Sequence, residues 1–228
     1  MTDTRRQPTV AAPPLVEACC DSVDTARVAQ SFGAGRVELC GPGDGGSTPS
    51  LGLIARCRDA LTIPLHVMIR PHLNGFVYRS DDFGVMCDDV VAAKALGADG
   101  VVAGPLNLDG TVCTEQLAEL IELARPLRVA FHRAFDRTPD AISALDTLLD
   151  LGVDYILTAG HARTALEGAL HLRRLQARAG HRLVVLAGGN VRGDTVRELV
   201  DRAQVREVHA RASDPTIVRG VVQALTSR

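Results

Sequence analysis

Tryptophan is absent, aromatic residues make up only 3% of the 228 residues, and Lys94 is the single lysine. So few flat rings argue against a surface on which bases stack. The formal net charge is −2 and the sequence pI is about 6.4, so there is no excess of basic residues to neutralise phosphates. Nucleic acid is therefore not expected as a partner. Six cysteines stand at positions 19, 20, 40, 57, 87 and 113, yet no Cys-x-x-Cys pair occurs. A chain of this length has no need of disulfide staples, so the reading is a reduced, cytoplasmic protein. No apolar run approaches the roughly 20 residues of a membrane span, and no membrane association is expected. Residues 1–14, MTDTRRQPTVAAPP, hold two Arg without a continuous apolar region and read as a flexible tail, not as a secretion signal.

The composition is otherwise that of a globular protein, 46% hydrophobic and 23% charged, ample for one large core. Apolar strand-like runs alternate with helix-like stretches about eight times. The strands are expected at Leu15–Cys19, Arg36–Cys40, Leu65–Arg70, Gly100–Gly104, Arg128–Arg133, Tyr155–Thr158, Leu183–Ala187 and Glu207–Ala210. The stretches Asp82–Leu96, Thr114–Ala124, Asp140–Leu151, Thr164–Ala177 and Asp194–Ala203 have helical length and periodicity, with Ser22, Ser50 and Thr114 as candidate N-caps. Gly33, Gly97 and Gly152 each follow a helix end, where glycine supplies the left-handed stop.

Strict β-α alternation means parallel strands covered by helices. Eight units predict a single (β/α)₈ TIM-type barrel over residues 15–228. An open doubly wound sheet is the alternative, but Cys19-Cys20-Asp21-Ser22 stands where a Gly-x-Gly-x-x-Gly loop belongs. No nucleotide cofactor is expected. Lys94, within a helical stretch, cannot serve as a Schiff-base lysine at the barrel centre, and no Gly-x-Ser-x-Gly elbow occurs.

Barrel enzymes assemble their sites from residues at the C-terminal ends of the strands. Here those ends carry Glu17 and Cys19, Glu38 and Cys40, His66 and Arg70, His132 and Arg133, Thr158, and His209. The pattern Val-Glu-x-Cys occurs twice, at Val16–Cys19 and Val37–Cys40. Alternate strand residues share a face, so each Glu points the same way as its Cys. Soft sulfurs beside carboxylates suit either capture of copper(I) by Cys19 and Cys40 or acid–base catalysis by Glu17 and Glu38. Closure of the ring brings His209 beside the first strand, within reach of Glu17.

Arg70 and Arg133 are candidates to hold an anionic substrate, since the guanidinium fork matches carboxylate and phosphate oxygens. Gly188 and Gly189, followed by Asn190, stand where barrels commonly bind phosphate through backbone N–H groups. Successive strand residues face opposite ways, so His132 and Arg133 are not both expected to face inward, and Arg133 is the one favoured. His66 reads either as a buried strand residue or as part of the site. His72, His161, His171 and His181 read as loop or surface residues. A divalent-metal isomerase using Glu17, Glu38 and His209 stays open.

The runs Glu17-Ala-Cys-Cys-Asp-Ser, Arg36-Val-Glu-Leu-Cys, Gly45-Gly-Ser-Thr-Pro-Ser-Leu-Gly, His66-Val-Met-Ile-Arg-Pro, Phe131-His-Arg-Ala-Phe-Asp, Ala165-Leu-Glu-Gly and Glu207-Val-His resemble the CutC family, named for copper homeostasis. The resemblance extends from about Val16 to His209. It implies a TIM-type barrel, a cytoplasmic protein and copper(I) binding by Cys19 and Cys40. The chain departs from the family pattern at His72-Leu73-Asn74-Gly75-Phe76, where the family usually has Arg-Gly-Gly-Asp-Phe. It departs again at Asn190, often a third glycine, and in the short segment after His209. The expected partner is thus a copper ion or a small anionic ligand. If the chain is an enzyme, an isomerase or lyase on a phosphate- or carboxylate-bearing substrate is expected. A homodimer is left open.

Overall fold

Short apolar runs that are buried on both faces become parallel strands when each is returned to the same end by a helix. In the computed structural model, which describes residues 12–43 and 46–227, eight such strands are β1 (Leu15–Cys20), β2 (Arg36–Leu39), β3 (Leu65–Met68), β4 (Gly100–Ala103), β5 (Arg128–Phe131), β6 (Tyr155–Thr158), β7 (Val184–Gly188) and β8 (Glu207–Arg211). They close in sequence order into a parallel barrel, β8 pairing with β1. The surrounding helices are α1 (Val23–Ser31), α2 (Leu51–Ala60), α3 (Ser80–Ala95), α4 (Thr114–Ala124), α5 (Ala141–Asp150), α6 (Ala169–Ala179), α7 (Val196–Ala203) and α8 (Pro215–Thr226). The expected TIM-type barrel is the fold. Most of the predicted tail, residues 1–11, lies outside the described residues.

The apolar interior is divided by the barrel wall. The larger core fills the space between strands and helices, with Leu39, Leu65, Ile69, Phe131, Ile156 and Val185 facing the helices. The smaller one sits inside the barrel and consists of Cys19, Cys40, Met68, Val102 and Ala130, with Tyr155 against it. Alternation thus sends Cys20 outward into the helix layer and Cys19 inward.

Helix starts follow the expected chemistry at two places. Ser22 caps α1 in a reciprocal box with Thr25, and Ser50 accepts from the Leu53 N–H at 3.3 Å. Thr114 does not act as a cap: Cys113 takes the N-cap position, with no side-chain bond, and Thr114 is the first helical residue. The helix expected from Thr164 begins only at Ala169. The Ala165 N–H is held by the Gly189 carbonyl at 2.9 Å, and Gly168 lies so close to Ala159 that an added Cβ would fall 1.8 Å from its carbonyl oxygen. That approach fixes the 164–168 segment as turns ahead of the helix. Gly33, Gly97 and Gly152 have φ of +93°, +83° and +74°, the left-handed helix stop that favours glycine.

Candidate functional site

Strand register decides which polar side chains meet inside the barrel. Glu17 is the Cα partner of Arg36 on β2 and of His209 on β8, whereas Glu38 is level with Cys19 and His66. All of them face the interior. Arg36 donates through Nε to Glu17 Oε2 at 2.5 Å and through Nη2 to Glu207 Oε2 at 2.7 Å, and its guanidinium lies 4.6 Å from the centre of the Tyr155 ring. Glu17 and Arg36 are only 2% and 3% exposed, so neither charge could be tolerated there without the other. Sequence reasoning missed Arg36, the base of the site, because it stands at the start of its strand.

Above this pair, His209 Nδ1 and Glu17 Oε1 are 2.8 Å apart, and His209 Nε2 lies 3.7 Å from Glu38 Oε2. The Cys19 and Cys40 sulfurs are 3.9 Å apart, and the Cys40 thiol is 3.7 Å from Glu38 Oε2. Cys19 Sγ, a Glu38 oxygen and a His209 nitrogen all lie within 4.8 Å of one another. Glu17, Glu38, Cys19, Cys40 and His209 are therefore brought together.

Their acidities are pulled apart by their surroundings. Burial opposes ionisation of Glu17, but the Arg36 charge and the His209 bond outweigh it and hold the carboxyl well below the usual range. Burial raises Glu38 well above that range; His209 pulls the other way, but Cys19 and Glu17 add to the rise. The hydrogen bond with Cys40 lowers Cys19 far below an ordinary thiol, helped by His209, and raises Cys40 correspondingly. Burial disfavours a charged His209, yet Glu38, Cys19 and Glu17 together raise it well above an ordinary imidazole. The two carboxyls are thus pushed in opposite directions, Glu17 toward the ionised form and Glu38 toward the protonated one, while His209 is favoured as the imidazolium and Cys19 is the more acidic of the two thiols.

A cavity of about 430 Å³ opens above the cluster at the C-terminal mouth of the barrel. Cys19, Glu38 and His209 form part of its lining, and Arg70, Arg133, Arg192 and Arg211 line it as well. Arg70 packs on the Phe76 ring at 4.7 Å. Arg133 is held by Asp136 at 2.8 Å, and Asp136 is itself fixed by Thr158 Oγ1 and the backbone N–H groups of Ala159 and His161.

His132 also lines the cavity, contrary to the expectation that only one of His132 and Arg133 would turn inward. Alternation carries Ala130 and His132 inward and Phe131 outward; it is Arg133 that departs from it, because β5 ends at Phe131 and Arg133 opens the 3-10 turn Arg133–Arg137 that His132 caps. Two glycines give the inner histidines their room. An added Cβ on Gly100 would sit 2.5 Å from the His66 ring, and one on Gly104 would sit 2.2 Å from the His132 ring. His66 is buried inside the barrel near Glu17, and burial lowers its pKa to about 4.

Gly189 lines the cavity with φ of +116°, followed by Asn190 at +56°. Gly188 does not line it: an added Cβ there would meet Leu157 at 2.4 Å and His209 at 3.3 Å, so this glycine makes space for packing beneath the mouth. His161 and His171, read as ordinary loop or surface residues, line a separate pocket with Asp140 and Arg174.

The CutC family model matches residues 14–214. The copper homeostasis protein cutC homologues of Mus musculus and Homo sapiens are 42% and 41% identical over 199 residues, 87% of this chain and 73% of each relative. The solved CutC structure from Streptococcus agalactiae superposes with a TM-score of 0.82 at 30% identity, covering 87% of this chain and 98% of that one. Phosphoribosylanthranilate isomerase from Thermotoga maritima, at 11% identity and a TM-score of 0.61 over 95% and 100% of the two chains, shares the fold alone. The chain belongs to the CutC family.

Proposed function

We propose that this protein binds copper(I) through Cys19 and Cys40 and serves in cytoplasmic copper homeostasis. The carrying observation is the buried pair of thiols 3.9 Å apart, one of them already inclined to ionise. Thiolates are the ligands that favour copper(I) over harder ions, and two suffice to hold it. Protons remaining on the pair leave as the ion enters. All six cysteines are unpaired, which suits a reducing compartment, and the relatives' names supply the link to copper. Copper(I) titrated against a competing chelator should bind one ion per chain, and Cys19→Ser/Cys40→Ser should weaken it by at least about tenfold, a loss of 1.4 kcal/mol. Equal affinity in the two proteins would sink the assignment.

The short His209–Glu17 contact beside Glu38, whose pKa is raised, favours a second reading, proton transfer on a small substrate, for which a site built only for a soft ion has no use. A histidine and two carboxyls whose acidities are pushed apart are the equipment of an isomerase or lyase. A panel of small phosphorylated sugars and keto acids incubated in D2O should reveal deuterium uptake by NMR. Uptake that persists in His209→Ala protein would refute this reading.

A further inference from the structure

We infer that the cavity mouth is a subsite for a small phosphate-bearing molecule, held by Arg70, Arg133, Arg192 and Arg211 and by the Nε2–H of His132. Such a subsite rests on the proton-transfer reading and deepens it by giving the substrate a chemical class. It uses neither thiol, so it does not compete with copper for ligands.

The charge inventory of the cavity comes first. Four arginines line it, and Glu38 is the only carboxylate residue among the described residues of the lining. Glu38 lies near the floor, beside Cys40 and His209. Among the described residues, Arg70, Arg192 and Arg211 form no ion pair. Arg70 donates to the Leu73 carbonyl at 3.3 Å, and its buried Nε has no hydrogen-bond partner among the described residues. Arg192 donates to the Val191 carbonyl at 2.9 Å. Arg133 engages Asp136 through Nε, an ion pair that fixes its guanidinium at the rim. Exposed arginines on a convex surface are ordinarily just solvated. These four instead converge on one concavity from the loops after β3, β5 and β7 and from the end of β8.

Two of the guanidinium groups are seated against glycine. A Cβ on Gly46 would come within 3.0 Å of Arg70 Nη1, and one on Gly189 within 3.4 Å of Arg133 Nη1. A side chain at Gly46 would press on the Arg70 guanidinium, whereas one at Gly189 would only touch that of Arg133. Arg133, held by Asp136, and Arg70, packed on Phe76, are positioned before a ligand arrives, which reduces the ordering cost of binding.

His132 is an independent indication. It is 4% exposed and lines the same cavity. Its Nδ1 accepts from the Ala134 N–H at 3.2 Å, which leaves the ring proton on Nε2, and Nε2 has no partner. A buried donor without an acceptor carries its full desolvation cost, so it is an unusual thing to keep unless a ligand supplies the acceptor. Burial, with the Arg70 charge, lowers the His132 pKa to about 3, so the ring stays a neutral donor. Arg70, Phe76 and His132 pack in succession, with the Phe76 and His132 ring centres 5.0 Å apart and the rings tilted at 54°.

A single carboxylate would leave most of this positive charge unmatched. A phosphate monoester carries close to two charges and three acceptor oxygens, which suits several guanidinium forks plus one neutral N–H. The volume lies within the range of small-molecule pockets and leaves room for an organic portion reaching toward Cys19, Glu38 and His209.

Inorganic phosphate is the probe, titrated calorimetrically at low ionic strength with chloride as the background anion. Saturable binding of one phosphate per chain is expected, weakened about tenfold or more by Arg70→Ala or Arg192→Ala, as for loss of one charge-assisted contact. Arg211→Ala, at an exposed side chain, gives a second variant in which folding is not at stake. Arg163→Ala removes an 87% exposed arginine outside the cavity lining and should leave the affinity unchanged. Absence of saturable binding to the wild type overturns the subsite. So does retention of affinity in the Arg70, Arg192 and Arg211 variants, or equal weakening by Arg163→Ala. None of these outcomes depends on deuterium uptake, so the subsite and the proton-transfer reading can fail separately.

Discussion

Replacing Arg36 by Met would remove one charge from the bottom of the barrel while keeping most of the side-chain stem. The structure sets the size of the effect. Arg36 and Glu17 are both almost fully buried, joined at 2.5 Å, and Arg36 is shared with Glu207 at 2.7 Å. Breaking a buried pair by deleting one partner typically costs about 3–5 kcal/mol, because the survivor is left charged in a poor solvent. Glu17 can escape part of that cost by taking up a proton, so the lower end is expected for Arg36→Met. Glu17→Gln leaves Arg36 with Glu207 and should cost less. The double variant removes both charges, so the losses should fall short of their sum by about 2 kcal/mol, within the range measured for contacting residues. Urea denaturation of all four proteins at pH 7 gives this coupling. Costs that add to within about 0.5 kcal/mol would refute the claim that Glu17 depends on Arg36. The same Glu17→Gln protein reports on the site itself. Gln can still accept from His209 but brings no charge, so the His209 imidazole should lose part of its raised pKa in an NMR titration; an unmoved value would show that Glu17 does not set it.

Two further outcomes follow from the buried histidines. His66 is held neutral in the folded state, its pKa lowered by burial to about 4, while an unfolded histidine titrates near 6.5. Below pH 6.5 the unfolded chain binds a proton that the folded chain refuses, so stability is lost as the pH falls from 6.5 toward 4. Between pH 7 and pH 5 this one group should contribute about 2 kcal/mol of that loss, and His66→Phe should show a correspondingly shallower decline by urea denaturation. Parallel curves would mean that His66 is not kept neutral. Gly104→Ala would drive a Cβ to 2.2 Å from the His132 ring, so it should cost about 1–3 kcal/mol and weaken phosphate binding by moving that ring; unchanged phosphate affinity would detach His132 from the subsite.

The fold was legible because its signals are local and repeated. Eight apolar runs punctuated by helix-stopping glycines give the element order, and eight β-α units without a glycine-rich loop after the first strand favour a closed barrel over an open sheet. The proximity of His209 to Glu17 was readable for the same topological reason, since the eighth strand must lie beside the first. Arg36 was not readable. Its two carboxylate partners come from β1 and β8, and nothing about the first residue of a strand announces an ion pair across the barrel. The joint presence of His132 and Arg133 at the cavity was hidden by an end effect: alternation carries Ala130 and His132 inward, but β5 has stopped before Arg133, which turns in with the 3-10 segment. The clearance that Gly100 and Gly104 give to two histidine rings is likewise a matter of packing between strands, invisible to spacing along one. Asp136, which holds Arg133, lay within the quoted run Phe131-His-Arg-Ala-Phe-Asp but acts through a turn that periodicity does not describe.

Why two copies of Val-Glu-x-Cys give carboxyls of opposite character is a question of register. Aligned motif to motif, Glu17 would face Glu38 and Cys19 would face Cys40, placing two carboxylates on neighbouring strands about 4.8 Å apart in a buried space. The actual pairing is displaced by two residues, so that Glu17 meets Arg36 and Cys19 meets Glu38. A displacement of two preserves the inward face of every side chain, whereas a displacement of one would have turned them all into the helix layer. Glu17 thereby acquires a cation that lowers its pKa, while Glu38 is left among thiols and its pKa is raised by burial. Cys40, no longer opposite Cys19, reaches it from the first residue beyond β2. The stagger therefore separates the acidities, and the sulfurs still meet at 3.9 Å because Cys40 lies beyond the end of β2, where its side chain can reach back to Cys19.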